Sequence, residues 1–364
     1  RLFHDSYGNE VDSYTDDSYT KLKVAGSGSV STGRSIYDDK TNGGSIVLES
    51  LRFSGQTLRL MSHYKADEHN ELDGNGTTNA VYKDVLTSIA IEDNVQINPA
   101  LLLSLGLGRH ELRPGTVFNL GNPYSLPGTK TATDAQFGLF YDWSDAARFY
   151  ASIAQKTRLP TLKDRYSQRL GTFVENPNLQ PEESINYEIG YQGHPTQSTQ
   201  AEAAIFYSDV TNKIQTVANV SGIKSQMQNV GQVHISGLEL GIKTNVVSWL
   251  DVGGNYTFTD LNNISNPSVK LTDIPRHKIT ANALLRPVEN IDVIVFAEHN
   301  SNRWVSNTLE LSGYTSLNLK LTYRPVKHLT VEAGVTNLTD KNYALADGFP
   351  NPGRMWFGNV QYQF

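Results

Sequence analysis

The sequence predicts an all-β chain, a transmembrane antiparallel β-barrel, on three observations. Apolar and polar residues alternate with period two through one segment after another, short and long connections alternate between those segments, and no apolar run is as long as a spanning helix. A helix crossing a bilayer needs about 18–20 consecutive apolar residues. Hydrophobic residues make up 38% of the 364 positions, and mean hydropathy is -0.40. That polarity is compatible with a membrane, because every second residue of a barrel strand faces water.

The clearest strand is 316–323, where Leu317, Leu319, Leu321 and Tyr323 share one face and Ser316, Asn318, Lys320 and Thr322 the other. The same split sets Ile279, Ala281, Ala283 and Leu285 against Lys278, Thr280 and Asn282, and Leu329, Val331, Ala333 and Val335 against Thr330, Glu332 and Gly334. Ala201, Ala203, Ile205 and Tyr207 repeat it in 199–213. About sixteen such segments are visible by this criterion. They run over 20–33, 45–52, 57–66, 81–97, 101–113, 130–143, 148–159, 182–193, 199–213, 226–246, 250–261, 275–287, 291–304, 312–325, 328–338 and 355–364, with residues before 20 left unassigned.

The connections sort into two kinds. Short ones fall at Asn98-Pro99-Ala100, Ser144-Asp145-Ala146-Ala147, Val288-Glu289-Asn290 and Pro325-Val326-Lys327. Long polar ones fall near 67–80, 114–129, 160–181, 262–274 and 339–354. Short turns on one side of a membrane and long loops on the other are the pattern of bacterial barrels. Aromatic residues gather near both predicted interfaces: Trp143, Phe149, Trp249 and Tyr323 beside short turns, Tyr207, Phe258, Trp304, Tyr314 and Trp356 toward long loops. A soluble propeller or sandwich is the competing fold, since it too alternates along each strand.

Composition removes other classes. A formal net charge of -6 with no basic cluster gives no footprint for nucleic acid. Zero cysteines exclude disulfides, thiolate metal sites and cysteine nucleophiles. His, Asp and Ser are scattered without G-x-S-x-G, H-E-x-x-H or P-loop spacing, so the chain reads as a non-enzyme with no cofactor. It opens Arg1-Leu2-Phe3-His4 without the charged and apolar regions of a signal peptide, so its N-terminal portion is expected to lie upstream.

Two stretches carry a family resemblance. Thr157-Arg158-Leu159-Pro160-Thr161-Leu162 is followed by Asn176-Pro177-Asn178-Leu179-Gln180-Pro181-Glu182-Glu183-Ser184-Ile185-Asn186-Tyr187-Glu188-Ile189-Gly190-Tyr191. Asn229-Val230-Gly231, Ser236-Gly237-Leu238-Glu239-Leu240, Pro275-Arg276-His277 and Asn337-Leu338-Thr339-Asp340-Lys341-Asn342-Tyr343 add to it, so that it covers roughly 150–364. These segments resemble the barrel portion of TonB-dependent outer-membrane receptors. The resemblance implies a plugged barrel of about 22 strands, with the first strands, the N-terminal plug and its TonB box all preceding Arg1. It implies TonB-driven uptake of a scarce nutrient, first a ferric siderophore or related metal chelate, with cobalamin and haem behind it. The alternatives are a porin-like diffusion channel and a soluble β-rich binding module. Partners are then outer-membrane lipid, TonB through the plug, the chelate and the barrel-assembly machinery, with the receptor a monomer and no nucleic acid bound. Val360, Tyr362 and Phe364, on one face of the last strand, resemble the terminal signal which that machinery reads.

Candidate site residues follow from the strand faces. With Phe149, Ala151 and Ile153 toward lipid, Lys156 and Arg158 should face the lumen or plug, and Pro160 ends the ladder by removing a donor. An ion pair of Arg158 with Glu182 or Glu188 is the structural alternative to ligand contact. The loop beyond adds Lys163, Arg165, Tyr166 and Arg169, a cationic cluster suited to an anionic ligand. His63, Asp67, Glu68 and His69, in a segment 63–76 read as an extracellular loop, are candidate metal ligands against the default of a solvated acidic loop.

Overall fold

The computed structural model describes residues 2–12, 34–73, 76–121, 125–168 and 171–364, with 2–12, 34–35 and 73 described through their backbone alone. Sixteen strands form one sheet: β1 (Leu2–Asp12), β2 (Arg34–Ser50), β3 (Gln56–Asp73), β4 (Thr78–Asn98), β5 (Leu101–Asn119), β6 (Lys130–Ser144), β7 (Ala147–Arg158) and β8 (Glu182–Thr196), then β9 (Thr199–Thr211), β10 (Val233–Val247), β11 (Leu250–Asn263), β12 (His277–Val288), β13 (Ile291–Asn300), β14 (Tyr314–Val326), β15 (Leu329–Thr336) and β16 (Met355–Tyr362). Every neighbour in space is a neighbour in sequence, and every pairing is antiparallel. This up-and-down meander is what hairpin connections produce, and it pairs every strand between β2 and β15 on both sides, with β1 and β16 at its two edges.

The two faces invert the usual partition of a soluble protein. On β14, Leu319, Leu321 and Tyr323 are 37–41% exposed while Ser316 and Thr322 are 5% exposed. The apolar face runs on through Ile89, Leu107, Ile153, Ile189, Ile205 and Ile242, all exposed. Contiguous apolar surface of this extent calls for a hydrocarbon solvent. Trp143, Phe149, Trp249 and Tyr323 stand exposed at the short-turn end, as an interfacial belt requires. Two members of the expected outer belt belong elsewhere. Tyr314 turns to the sheltered polar face and stacks on Tyr343 at 4.0 Å, because it lies out of phase with Leu317 and Leu319. Trp304 sits in a small loop hairpin, under Lys270.

Strand ends are where the structure departs most from the alternation pattern. β2 begins at Arg34 and β3 runs to Asp73, so the segment 63–76 is mostly strand and not loop. β1 occupies part of the stretch without assignment, while the segment 20–33 lies outside the described residues. Beyond the bilayer both faces meet water, so alternation fades, yet cross-strand polar pairs such as Thr41 Oγ1 to Asp67 at 2.7 Å and Lys83 to Glu68 at 2.8 Å keep the ladder zipped. The segment 226–246 divides: Lys224–Asn229 pairs with Ile214–Ser221 in a loop hairpin, Gly231 takes φ +93°, and β10 resumes at Val233.

On the polar face, aromatic rings lie over glycines of the next strand. Tyr150 faces Gly190, Phe206 faces Gly237 and Phe357 faces Gly334 in register, and a Cβ at any of these glycines would come within 2.4 Å of the ring. The missing side chain lets the ring lie flat on the backbone and hold the pair together. Gly237→Val therefore strikes both the Phe206 ring and the Phe258 carbonyl oxygen, 2.2 Å from the added carbon. Overpacking of this kind costs about 1–3 kcal/mol. The expected result is a smaller heat-modifiable folded fraction on unheated gels for Gly237→Val and an unchanged one for Gly358→Ala, whose nearest neighbour is at 3.7 Å.

Candidate functional site

The cationic segment after β7 folds back onto the sheet. Pro160 stops the strand, and Thr161 caps a single helical turn, α1 (Leu162–Tyr166), by accepting from the Asp164 amide while the Asp164 carboxylate accepts from the Thr161 amide. The turn rotates Arg165 and Tyr166 inward until each is 2% exposed. The Arg165 guanidinium bonds the Asp84 carboxylate of β4, itself 4% exposed, and stands over the Tyr166 ring at 5.0 Å. Tyr166 stacks on Tyr82 at 4.3 Å and 8°, Tyr82 on His69 at 6.2 Å, and His69 on Tyr37 at 5.5 Å. His69 is fixed between the Asp39 and Glu71 carboxylates. A file of four rings thus crosses β2, β3, β4 and α1 along the polar face. Burial holds the Tyr166 phenol above the usual tyrosine range.

This placement corrects two expectations. Arg165 and Tyr166 are not displayed on an exposed loop; they anchor the loop to the wall. Their partner Asp84 lies 81 positions away in sequence, and nothing local marked it. Arg158 is 43% exposed, as its strand face requires, and it bonds Asp164 at 2.8 Å with Glu182 at 4.0 Å. Glu182 is thus one of the two carboxylates expected near Arg158, whereas Glu188 instead accepts from the Tyr150 hydroxyl at 2.6 Å. Lys156 and Lys163 are exposed and, among the described residues, make no ion pair. Arg169 lies outside the described residues. The metal candidates are not brought together: His63, Asp67 and His69 share the polar face of β3, while Glu68 points to the other and bonds Lys83.

The recognisable motifs act as clasps between loops. Asn229 donates to the Gln180 carbonyl at 3.0 Å and to the Asn212 carbonyl at 2.8 Å, and its side-chain oxygen accepts from the Gln180 amide at 2.9 Å. Asn176 donates to the Met227 carbonyl and Gln226 to the Glu175 carbonyl. Asn337, at φ +50°, exchanges two bonds with the Lys341 backbone. The terminal residues Val360, Tyr362 and Phe364 all project from the apolar side of the last strand, 57–112% exposed.

A family model described as "TonB dependent receptor-like, beta-barrel" matches residues 2–338. The vitamin B12 transporter BtuB of Photobacterium profundum is 26% identical over 238 residues, 63% of this chain and 37% of that protein. The probable TonB-dependent siderophore receptor PiuA of Acinetobacter baumannii is 23% identical over 279 residues, 71% of this chain and 37% of its own length. Among solved structures, the copper transporter OprC superposes with a TM-score of 0.75 at 19% identity, covering 91% of this chain and 57% of that one. The ferric enterobactin receptor PfeA of Pseudomonas aeruginosa superposes at 0.71 and 17%, covering all of this chain and 59% of that one. These superpositions establish the fold. The chain therefore spans well under two thirds of the length of the relatives it matches.

The buried pair and the exposed one should behave differently on substitution. Arg165→Ala strands a desolvated carboxylate, a loss of about 3–5 kcal/mol for a broken buried pair, and should release the segment 160–181 to protease on intact cells. Arg158→Ala removes a half-exposed pair of about 0–1 kcal/mol and should leave cleavage near the parent rate. Equal cleavage of the two variants would show that Arg165 does not anchor the loop.

Proposed function

This chain belongs to the TonB-dependent receptor β-barrel family, and from that membership we propose that it forms the greater part of the wall of an outer-membrane receptor for active uptake of a scarce nutrient. The family match over 2–338 carries this reading. The sixteen-stranded meander with one apolar and one polar face supports it physically. In this proposal the long-loop end faces outward and the polar face lines a lumen. A plug encoded upstream of this chain fills that lumen and couples to TonB, and the receptor works as a monomer. Val360, Tyr362 and Phe364 serve as the strand that the assembly machinery recognises.

The proposed ligand is a ferric siderophore or related anionic metal chelate. Siderophore receptors recur among the similar proteins, beside a vitamin B12 transporter. With Arg165 committed to Asp84 and Arg158 to Asp164, the cations of this set left among the described residues to meet an anionic ligand are Lys156 and Lys163. Their attraction acts through water and is screened within about 8–10 Å at ordinary salt. Lys156→Ala with Lys163→Ala should therefore weaken chelate binding several-fold at low salt and little at high salt, while assembly is unchanged. Affinity measured at two salt concentrations tests it.

Uptake of radio-iron chelates and radio-cobalamin by cells carrying the whole gene tests the function itself. Saturable uptake of a ferric chelate that stops on deletion of TonB or collapse of the proton gradient is expected. Uptake that is linear in concentration and indifferent to TonB would replace the proposal with a passive channel.

A further inference from the structure

Resting on the reading of this sheet as a membrane-spanning wall, we propose that the apolar face of β4–β6 carries a binding site for the phosphate of an anionic outer-leaflet lipid, centred on Arg109 and Arg113. Registered neighbours in a sheet share a face, and Arg109 pairs with Ile89 on one side and Thr133 on the other. Ile89 is 62% exposed, and Leu105, Leu107 and Phe137 beside it are exposed too. The two arginines therefore stand on the lipid-facing side, not on the lumen wall with Lys156 and Arg158.

Depth follows from counting along β5. Leu101 pairs with Tyr141 beside the short-turn belt of Tyr141 and Trp143, and Arg109 is eight residues further on. At about 3.4 Å per residue and a strand tilt of about 40°, Arg109 lies roughly 20 Å above that belt, at the outer edge of the apolar band. Leu103, Leu105 and Leu107 fill the interval, and Arg113 lies a further four residues out. That is the level of lipid headgroups.

The donors there are only partly used. Arg109 gives one bond, to Thr133 Oγ1 at 2.8 Å, and among the described residues it makes no ion pair. Arg113, with its side chain 67% exposed, leans on Glu111 with one arm of its fork. Between them on the same face lie the Glu111 carboxylate, which holds one arm of Arg113, and the hydroxyls of Thr87 and Thr131 that flank it in register, with Thr133 level with Arg109. A guanidinium at the boundary of hydrocarbon is poorly solvated and has a planar fork that matches two phosphate oxygens, so a headgroup phosphate satisfies both its charge and its donors. The rim over β8–β12 is built differently. It presents the rings of Tyr187, Tyr207, His234, Phe258 and His277, and its arginine, Arg276, is held by Asp260 at 3.0 Å. Among the described residues of these two rims, the arginine without an ion pair is thus Arg109 on β5, with Arg113 beside it keeping donors free of its single carboxylate contact.

The test uses protein extracted from outer membranes in detergent and titrated with diphosphoryl lipid A, the same lipid stripped of both phosphates, and inorganic phosphate, with retained lipid read by native mass spectrometry. Diphosphoryl lipid A is expected to bind at least tenfold more tightly than the stripped lipid. Arg109→Gln with Arg113→Gln should erase that difference, Arg276→Gln should retain it, and millimolar inorganic phosphate should not compete. Equal binding of the two lipids, or undiminished preference in the double variant, overturns the site. Efficient competition by inorganic phosphate assigns the arginines to a soluble anion and overturns the lipid assignment. A chain that never enters the membrane fraction overturns the membrane reading and the lipid site with it, whereas an inserted chain without phosphate preference overturns the lipid site alone.

Discussion

The structure depends on one constraint: inside hydrocarbon no water is available to a peptide group, so each backbone N–H and C=O must find its partner in the next strand. An unmet group costs several kcal/mol by the same argument. The nearest-neighbour order of the sixteen strands is the direct expression of that constraint. It also explains why side chains are free to invert their usual places. Leu319 and Leu321 face outward because the solvent there is apolar, and Ser316 and Thr322 take the sheltered side. Glycine beneath an aromatic ring, as at Gly190 under Tyr150 and Gly334 under Phe357, lets the polar face carry large rings without forcing strands apart.

Above the apolar band the constraint relaxes and a different logic takes over. Water can satisfy a peptide there, yet β2, β3, β4 and β5 continue well past the last exposed leucine or isoleucine. Cross-strand hydrogen bonds and ion pairs accompany these extensions, and the file of rings from Tyr37 to Tyr166 ties them to α1. The Arg165–Asp84 pair closes this arrangement. Burying two charges is expensive, so the pair adds little to net stability beyond what apolar residues would supply. What it does add is register, because a displaced α1 would leave both charges desolvated and alone. The loop that carries the family motif is thereby held in one place over the polar face.

Charge on the molecule is sorted by depth and by face. Arg165 and Arg158 are spent within the wall and its loop, Lys156 and Lys163 remain open on the polar side proposed to meet ligand, and Arg109 and Arg113 stand on the opposite face at the proposed lipid boundary. Positive charge therefore meets three environments, and arginine serves two of them. Asn229, Asn176 and Asn337 show the same economy, since these residues of the family segments act here as clasps, the first two between loops and Asn337 within one.

Much of this was legible in the sequence alone. Period-two alternation placed the strands within the apolar band, 316–323 most clearly, because a strand between lipid and water must alternate. Short turns such as Asn98-Pro99-Ala100 and the family segments around Arg158 and Gln180 were equally plain. The extended ends of β2 and β3 were not, since both faces there meet water and polar residues read as loop. Nor was the fate of Arg165, which looks in sequence like any cation of an exposed loop. Its burial depends on Asp84, 81 residues earlier, arriving at the same height on the same face of a neighbouring part of the sheet. Alternation is a local property and survives in the sequence, whereas the meeting of two distant charges depends on the shear and register of the whole sheet, and the tertiary structure alone decided it.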